Sequence, residues 1–346
     1  MKRSTLLTVS ALALIAAIGA GIAVTAKRPG TDFARGEKLF ANLGSKLDSA
    51  ASIEITRHDG RFTLVRKGET WVLPEKGDFP VRPELIRQTL AALTEMETIE
   101  AKTAKPELFE RLNLNDPADK DAKSIRVAVK DGSGGILADL LIGKRRPGTA
   151  TAAGSTGDSQ MLYVRKAGEN NTWLVQAQID ARASAVDWTS RDLMDITMED
   201  LSKVELTGAD GAVLTLSRAP DVKDFTVENV PEGRKAKSGW DVNQLGTTLE
   251  TLNFEDVQMA DTVSAPVNAA KGRFESKDGL IVTITLVPND KDTWALIKAE
   301  GNAEKAAPIA TKVDGWAFRL PDYKRERLLK TINDVLQPVE PAPAGG

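Results

Sequence analysis

One histidine, His58, lies beside Asp59, and the chain contains no cysteine. A catalytic nucleophile needs a base within hydrogen-bond reach, so His58 is the only imidazole around which acyl-transfer or hydrolytic chemistry could be built. It falls in His58-Asp59-Gly60, between the alternating runs Ile53/Ile55 and Phe62/Leu64. That pattern predicts a hairpin turn, and so a surface histidine. Neither Ser-x-x-Lys nor Gly-x-Ser-x-Gly occurs. Gly132-Ser133-Gly134-Gly135 and Leu141-Ile142-Gly143-Lys144 hold residue types of a phosphate loop. Neither precedes a helical pattern, and Arg145 stands after Lys144 where Ser or Thr is required. Both read as hairpin connections.

With one histidine and no cysteine, a metal would have to be held by oxygen. Asp116, Asp119 and Asp121 crowd together, as do Asp290 and Asp292. Neither group has the alternating oxygens, central glycine and distal glutamate of a calcium loop, so both read as solvated loop carboxylates. A glycosidase needs paired carboxylates in an aromatic-lined groove, but aromatics are 5% of residues and scattered. The tryptophans read as core anchors; Trp188 and Trp240, near predicted element ends, are the two candidates for exposure. No catalytic, cofactor-binding or metal-binding residue is assigned.

The net charge is −3, which gives no field to recruit nucleic acid. The clusters Lys144-Arg145-Arg146 and Lys324-Arg325-Glu326-Arg327 lack interleaved aromatics and read as solvated faces. Charged residues at 27% and apolar residues at 41% describe a folded body, and 346 residues suffice for two domains with their own cores. An absence of cysteine fits either redox compartment.

Between Arg3 and Lys27 no charge occurs. As a helix rising about 1.5 Å per residue, this stretch is long enough for a hydrocarbon layer of about 30 Å. It predicts a transmembrane anchor over residues 1–28. A signal peptide cleaved after Val24-Thr25-Ala26 is the rival reading, although its apolar region is ordinarily shorter. Lys2 and Arg3 before the helix nearly balance Lys27 and Arg28 after it; a very short basic N-tail places the remaining chain outside the cytoplasm. Ala13, Ala17 and Gly21 form a small-xxx-small row.

Residues 29–50 read as a stalk, with Phe40, Leu43 and Leu47 at helical spacing. The first body unit, residues 51–200, opens with the hairpin, a Trp71 strand stopped by Pro74, and a helix from Pro83 with Leu85, Ile86, Leu90, Leu93 and Met96 on one face. A short helix over Pro106–Leu112 ends at Asn113. Four strands follow, and Pro147–Ser159 reads as a small, polar, mobile loop. The second unit, residues 201–337, echoes the first: Val204-Glu205-Leu206-Thr207 with Asp210-Gly211 repeats Ile53-Glu54-Ile55-Thr56 with Asp59-Gly60. Val242, Leu245, Leu249 and Leu252 rebuild the helical face, and Trp316 answers Trp173. Landmarks in the same order argue for duplication. A last helix is predicted over Tyr323–Leu336, then a disordered tail over 338–346. The expected fold class is α+β: an N-terminal transmembrane helix, then two tandem units of mostly antiparallel sheet, each with a packed helix.

The run Leu112-Asn113-Leu114-Asn115-Asp116-Pro117, followed by Ile142-Gly143-Lys144, resembles the bacterial domain of unknown function family numbered 4340. That family carries Tyr-Gly-Leu-x-x-Pro after the helix and a strand ending Ile-Gly-Lys. This sequence departs at Asn113, where glycine is usual, and at Arg82, where an acidic residue is expected. The resemblance covers residues 50 to 200 well and the second half loosely. Its motifs are structural and supply no catalytic residue. It implies a membrane-anchored envelope protein, with transporters of the ATP-binding-cassette type as partners. The expected function is therefore a non-catalytic, periplasm-facing accessory protein tethered to the inner membrane. A ligand- or glycan-binding envelope protein and a carboxylate-dependent hydrolase are the alternatives.

Overall fold

The computed structural model describes residues 36–146, 160–179, 181–182, 184–289 and 292–339. The chain divides into two compact units, one of Met1–Arg66 with Pro83–Ala183, the other of Lys67–Arg82 with Ser184–Gly346. The candidate anchor and the Pro147–Ser159 loop lie outside the described residues. Among the described residues no helix is long and apolar enough to cross a membrane.

In the first unit β1 (Ala50–Arg57) and β2 (Gly60–Lys67) form the expected hairpin. Ile53 faces Leu64 and Ile55 faces Phe62, and all four are buried, so the period-two alternation becomes one covered sheet face. The chain then supplies β3 (Thr70–Leu73) and β4 (Phe79–Pro80) before helix α1 (Pro83–Glu95). Leu85, Ile86, Thr89, Ala92 and Leu93 make the buried stripe of α1, at the three- and four-residue spacing of a half-buried helix. After α1 come β5 (Glu97–Ala101), α2 (Phe109–Leu112), β6 (Ile125–Asp131), β7 (Ile136–Arg146), β8 (Gln160–Lys166) and β9 (Thr172–Ala177). This unit's strands run in the order β2-β1-β6-β7-β8-β9-β5, antiparallel throughout.

The second unit contains β10 (Asp192–Met194), β11 (Leu201–Thr207), β12 (Val213–Ser217), β13 (Thr226–Val227), β14 (Arg234–Ala236), α3 (Gly239–Gly246), β15 (Leu252–Asn253) and β16 (Asp256–Met259). It continues with β17 (Lys271–Ser276), β18 (Leu280–Pro288), β19 (Thr293–Gly301), α4 (Ala306–Val313), β20 (Trp316–Arg319), α5 (Asp322–Leu328), α6 (Ile332–Val335) and β21 (Leu336–Pro338). Its main sheet runs β13-β12-β11-β17-β18-β19-β20-β16. Apart from β13, this is strand for strand the order of the first unit. The last pairing agrees at both ends, Glu97 facing Gln176 and Ala101 facing Trp173 as Asp256 faces Arg319 and Met259 faces Trp316, with a register shift between Thr98 and Glu100 in the first unit alone. The mostly antiparallel α+β class expected from the sequence is what the chain adopts.

The segment Lys67–Arg82 is held in the second unit by Phe79. Its ring packs edge-on against Trp316, Phe254 and Phe318, with centroids 4.8, 5.5 and 6.3 Å away. Lys76 meets Asp256 at 2.6 Å, and the Arg82 amide donates to the Trp188 carbonyl at 2.8 Å.

Three expectations need correction. The helix predicted over Tyr323–Leu336 is two short helices, α5 and α6, followed by strand β21. Thr331 and Asp334 form a capping box that restarts the helix and breaks the long periodicity, which leaves Leu329 54% exposed. The tail does not begin at Pro338, because Pro338 pairs with Arg234 and the Val339 amide donates to Gly233. Residues 36–49, read as a stalk, belong to the first unit: Leu39 and Leu43 are buried, and Gly36 to Leu39 hydrogen-bond along β5. Helix α4 was not foreseen, although Ala306, Ile309 and Val313 carry its buried spacing.

Phe79 is 7% exposed, so Phe79→Ala should cost the second unit about 3 kcal/mol or more, through lost transfer energy and a residual cavity. Chemical denaturation of the full chain measures this; a loss under about 1 kcal/mol would show that the ring cluster does not hold the segment.

Candidate functional site

The two runs that carry the family resemblance meet in the first unit. Helix α2 ends at Asn113, whose φ of 56° and ψ of 44° are left-handed. Asparagine tolerates that region better than most residues, so the turn survives without glycine. Leu114 is then driven inward and is fully buried with Phe109 and Leu141. Gly143 lies directly beneath this turn. A Cβ on it would run into the Leu112 carbonyl oxygen and stand 2.9 Å from that of Asn113. The glycine of Ile142-Gly143-Lys144 is required by close backbone approach.

Arg165 fixes the same turn from below. It is 7% exposed, donates to the Leu114 carbonyl through Nε at 3.2 Å and Nη2 at 3.1 Å, and reaches the Glu169 carbonyl through Nη1 at 3.0 Å. Its guanidinium stacks over the Phe109 ring at 4.6 Å. Burial pushes its pKa down, opposed by Asp116 and Asp119. Ser124 Oγ closes the turn by donating to the Asn115 carbonyl at 2.5 Å. A shallow cleft of about 450 Å³ lies outside, lined by Glu110, Arg111, Asn113, Asp121, Lys123 and Lys144 among others. The motif residues are thus spent on backbone geometry and packing, and Lys144 stays exposed beside them.

A larger cleft, of about 780 Å³, lies between the C-terminal half of α1 and the end of β9. Gln88, Ala91, Ala92 and Glu95 contribute from the helix, Glu97 from β5, Gln176 and Ala177 from β9, and Gln178 from just beyond it. Lys38 crosses its edge, pairing with Glu97 at 3.0 Å and donating to the Glu95 carbonyl at 3.1 Å. Such a contact meets one of the carbonyls that a helix C-terminus leaves without an internal partner.

In the second unit a lysine does the equivalent work from another element. Lys324 was read with its neighbours as a solvated face, but it is 3% exposed. Its place one turn before Leu328, also buried, turns it inward. Nζ donates to the carbonyls of Thr247 at 2.9 Å and Glu250 at 2.6 Å, just past α3, and Arg327 donates to Thr247 at 3.3 Å. Burial pushes the ammonium pKa down to about 8, with Arg327 adding to the shift and Glu250 and Asp195 opposing it. The sequence signal for this lysine was the apolar period of Leu328, which a charge-run reading overlooks.

The other candidates stay apart. His58 is exposed in its hairpin turn, next to the Arg57–Asp59 ion pair at 3.1 Å. Gly132 to Gly135 form the turn from β6 to β7, held by Asp131 Oδ1 accepting from the amides of Ser133 and Gly135 at 2.8 Å each. Among the described residues no three His, Cys, Asp or Glu side chains are placed to hold a metal ion; Asp290 lies outside them. Trp188 is fully buried, so it lines no open groove, whereas Trp240 at the start of α3 is 71% exposed.

A family model described as Domain of unknown function (DUF4340) matches residues 71–272, more than half of the chain. The match starts at Trp71, later than the resemblance read from the sequence, and runs on to Gly272 in β17. No curated protein and no solved structure matches the chain.

Two outcomes check this geometry. Gly143→Ala should destabilise the first unit by about 2 kcal/mol or more, while Lys144→Ala should stay within about 0.5 kcal/mol; equal effects in denaturation would contradict the close approach. For Lys324, a folded pKa of about 8 against the ordinary lysine value of 10.5 means the unfolded chain binds more protons between those limits. Stability should therefore gain a component that rises with pH across that window, and Lys324→Met should remove it. Identical pH–stability curves for the two proteins would contradict the buried ammonium.

Proposed function

We propose for this chain, which belongs to the DUF4340 family, a non-catalytic role as a membrane-anchored interaction protein of the bacterial envelope. On this reading a single helix near the N-terminus holds it in the inner membrane, the two body units stand in the periplasm as a tandem duplication, and an ATP-binding-cassette transport system is the partner. The observation that carries the non-catalytic part is the use made of the family motifs. Asn113, Leu114 and Gly143 serve a turn and its packing, and the buried cation beside them, Arg165, is committed to backbone carbonyls. The uncharged stretch between Arg3 and Lys27 supports the anchor. The equal strand order of the two sheets supports duplication.

The anchor and body are close in sequence. From Lys27 to the Gly36 amide, which donates to the Thr98 carbonyl on β5 at 2.9 Å, the chain spans at most about 30 Å when fully extended. An anchored chain would hold this edge of the first unit near the membrane surface, where a membrane-embedded partner is in reach.

In membranes from the native host, the protein should resist extraction by high salt and alkaline carbonate, and external protease should digest its body in spheroplasts. Mature protein beginning near Lys27 and released by salt would overturn the anchor. Detergent-solubilised protein should co-purify with a transport component; recovery of the chain alone in several detergents would count against the partner.

A further inference from the structure

Each unit must carry its chain from the strand at the end of the sheet, β5 or β16, back to the strand beside the first hairpin, β6 or β17. The second unit does so with residues 260–270, whereas the first uses residues 102–124, about twice the length. A connection longer than its topology needs is commonly functional. The added chain holds α2 and the Asn113 turn, and its backbone is fixed: Gly143 lies against the turn, Arg165 gathers the Leu114 carbonyl, and Ser124 ties down that of Asn115. Three cations stand on this fixed backbone: Arg111 on α2, Lys123 next to Ser124, and Lys144 next to Gly143. All three line the cleft of about 450 Å³, a volume within the range of small-molecule sites. Among the described residues none of the three forms an ion pair or a side-chain hydrogen bond. Arg126 and Lys130, on the same sheet, are paired with Asp139 at 2.6 Å and Glu54 at 3.1 Å. The side-chain amides of Asn113 and Asn115, in the same cleft, are likewise without a partner among the described residues.

We propose that this cleft binds a small phosphorylated polyol, with the phosphate held by Arg111, Lys123 and Lys144 and the hydroxyls by the two asparagines and the cleft's carboxylates. A guanidinium meets two phosphate oxygens at once and lysines add point charges, so three cations around one cleft favour a phosphate over a single carboxylate. Glu110 and Asp121 also line the cleft. They repel a ligand that is anionic throughout, but they accept hydrogen bonds from hydroxyls, and the asparagine amides both donate and accept. The volume agrees, since a bare phosphate leaves most of the 450 Å³ empty. The headgroup of an anionic phospholipid and a free sugar or glycerol phosphate present the same chemistry. The site depends on neither the anchor nor the transport partner, so it stands apart from the envelope reading.

The full-length protein in phosphatidylcholine nanodiscs should bind glycerol 3-phosphate saturably in calorimetry and give no heat of binding with glycerol. Lys144→Gln and Lys123→Gln should each weaken binding by about tenfold or more, through the loss of one charge-assisted hydrogen bond. Lys312→Gln, at an exposed position on α4, should leave binding unchanged. Thermal unfolding, expected to be the same for all four proteins, separates lost binding from a lost fold. Phosphatidylglycerol in the nanodisc that competes with glycerol 3-phosphate identifies a headgroup as the ligand. An absence of competition identifies a free phosphorylated polyol, and the site stands in both cases. No saturable binding of glycerol 3-phosphate, or binding indifferent to both cleft substitutions, overturns the proposal. Inorganic phosphate binding as tightly as glycerol 3-phosphate overturns the assignment to a polyol.

Discussion

The last carbonyls of a helix have no partner inside it, and each unit meets them with a lysine brought from elsewhere in the chain. Lys38 reaches the end of α1 from the segment before β1, and Lys324 reaches the end of α3 from the helix after β20. The two solutions differ in cost. Lys38 remains near water and shares its charge with Glu97, whereas Lys324 is enclosed, and burial lowers its pKa toward 8. An enclosed ammonium is tolerated only where its donors find acceptors, and the Thr247 and Glu250 carbonyls meet two of the three. The neighbouring packing follows from these anchors: α5 lies on α3, and residues 36–49 on the first unit. In the first unit the lysine covers only the rim, and a cleft stays open behind it.

Similar local devices recur where the backbone must be held in an unusual place. Arg165 gathers the carbonyls of Leu114 and Glu169 beneath the Asn113 turn. Arg218 does comparable work in the second unit, donating to Met198, Glu199, Leu201 and Lys223 while stacking over Phe225 at 4.8 Å. Each is a buried cation spent on main-chain oxygens, where a planar, multi-donor guanidinium fits best. In both units these buried guanidiniums are used for architecture.

Strands with strict alternation were legible in the sequence. β1, β2 and β6 to β9 lie where period two and turn residues place them, and the Pro106–Leu112 helix ends at Asn113 as read. Three kinds of feature were hidden. Lys324 looked like one member of a basic cluster, because a charge run carries no sign of which member faces inward until Leu328 is counted with it. The α5–α6 break was masked because Leu328, Leu329 and Ile332 keep a helical spacing across a capping box that ends one helix and starts another. The membership of Lys67–Arg82 in the second unit depends on Phe79 meeting Trp316, Phe254 and Phe318, a pairing more than 170 residues apart in sequence that no local pattern carries. Of the cleft, the helix stripe and the strand were readable, but the reach of Lys38 across its edge to Glu97 and the Glu95 carbonyl was not, because it joins residues more than fifty positions apart.

The central claim is that an enclosed ammonium, Lys324, meets the carbonyls just past α3 and seats α5 there. The most direct measurement follows the Lys324 side-chain nitrogen by NMR as pH is raised, with the signal assigned through Lys324→Arg. The account predicts that this ammonium titrates at about 8. Titration at the ordinary lysine value of 10.5 would contradict it.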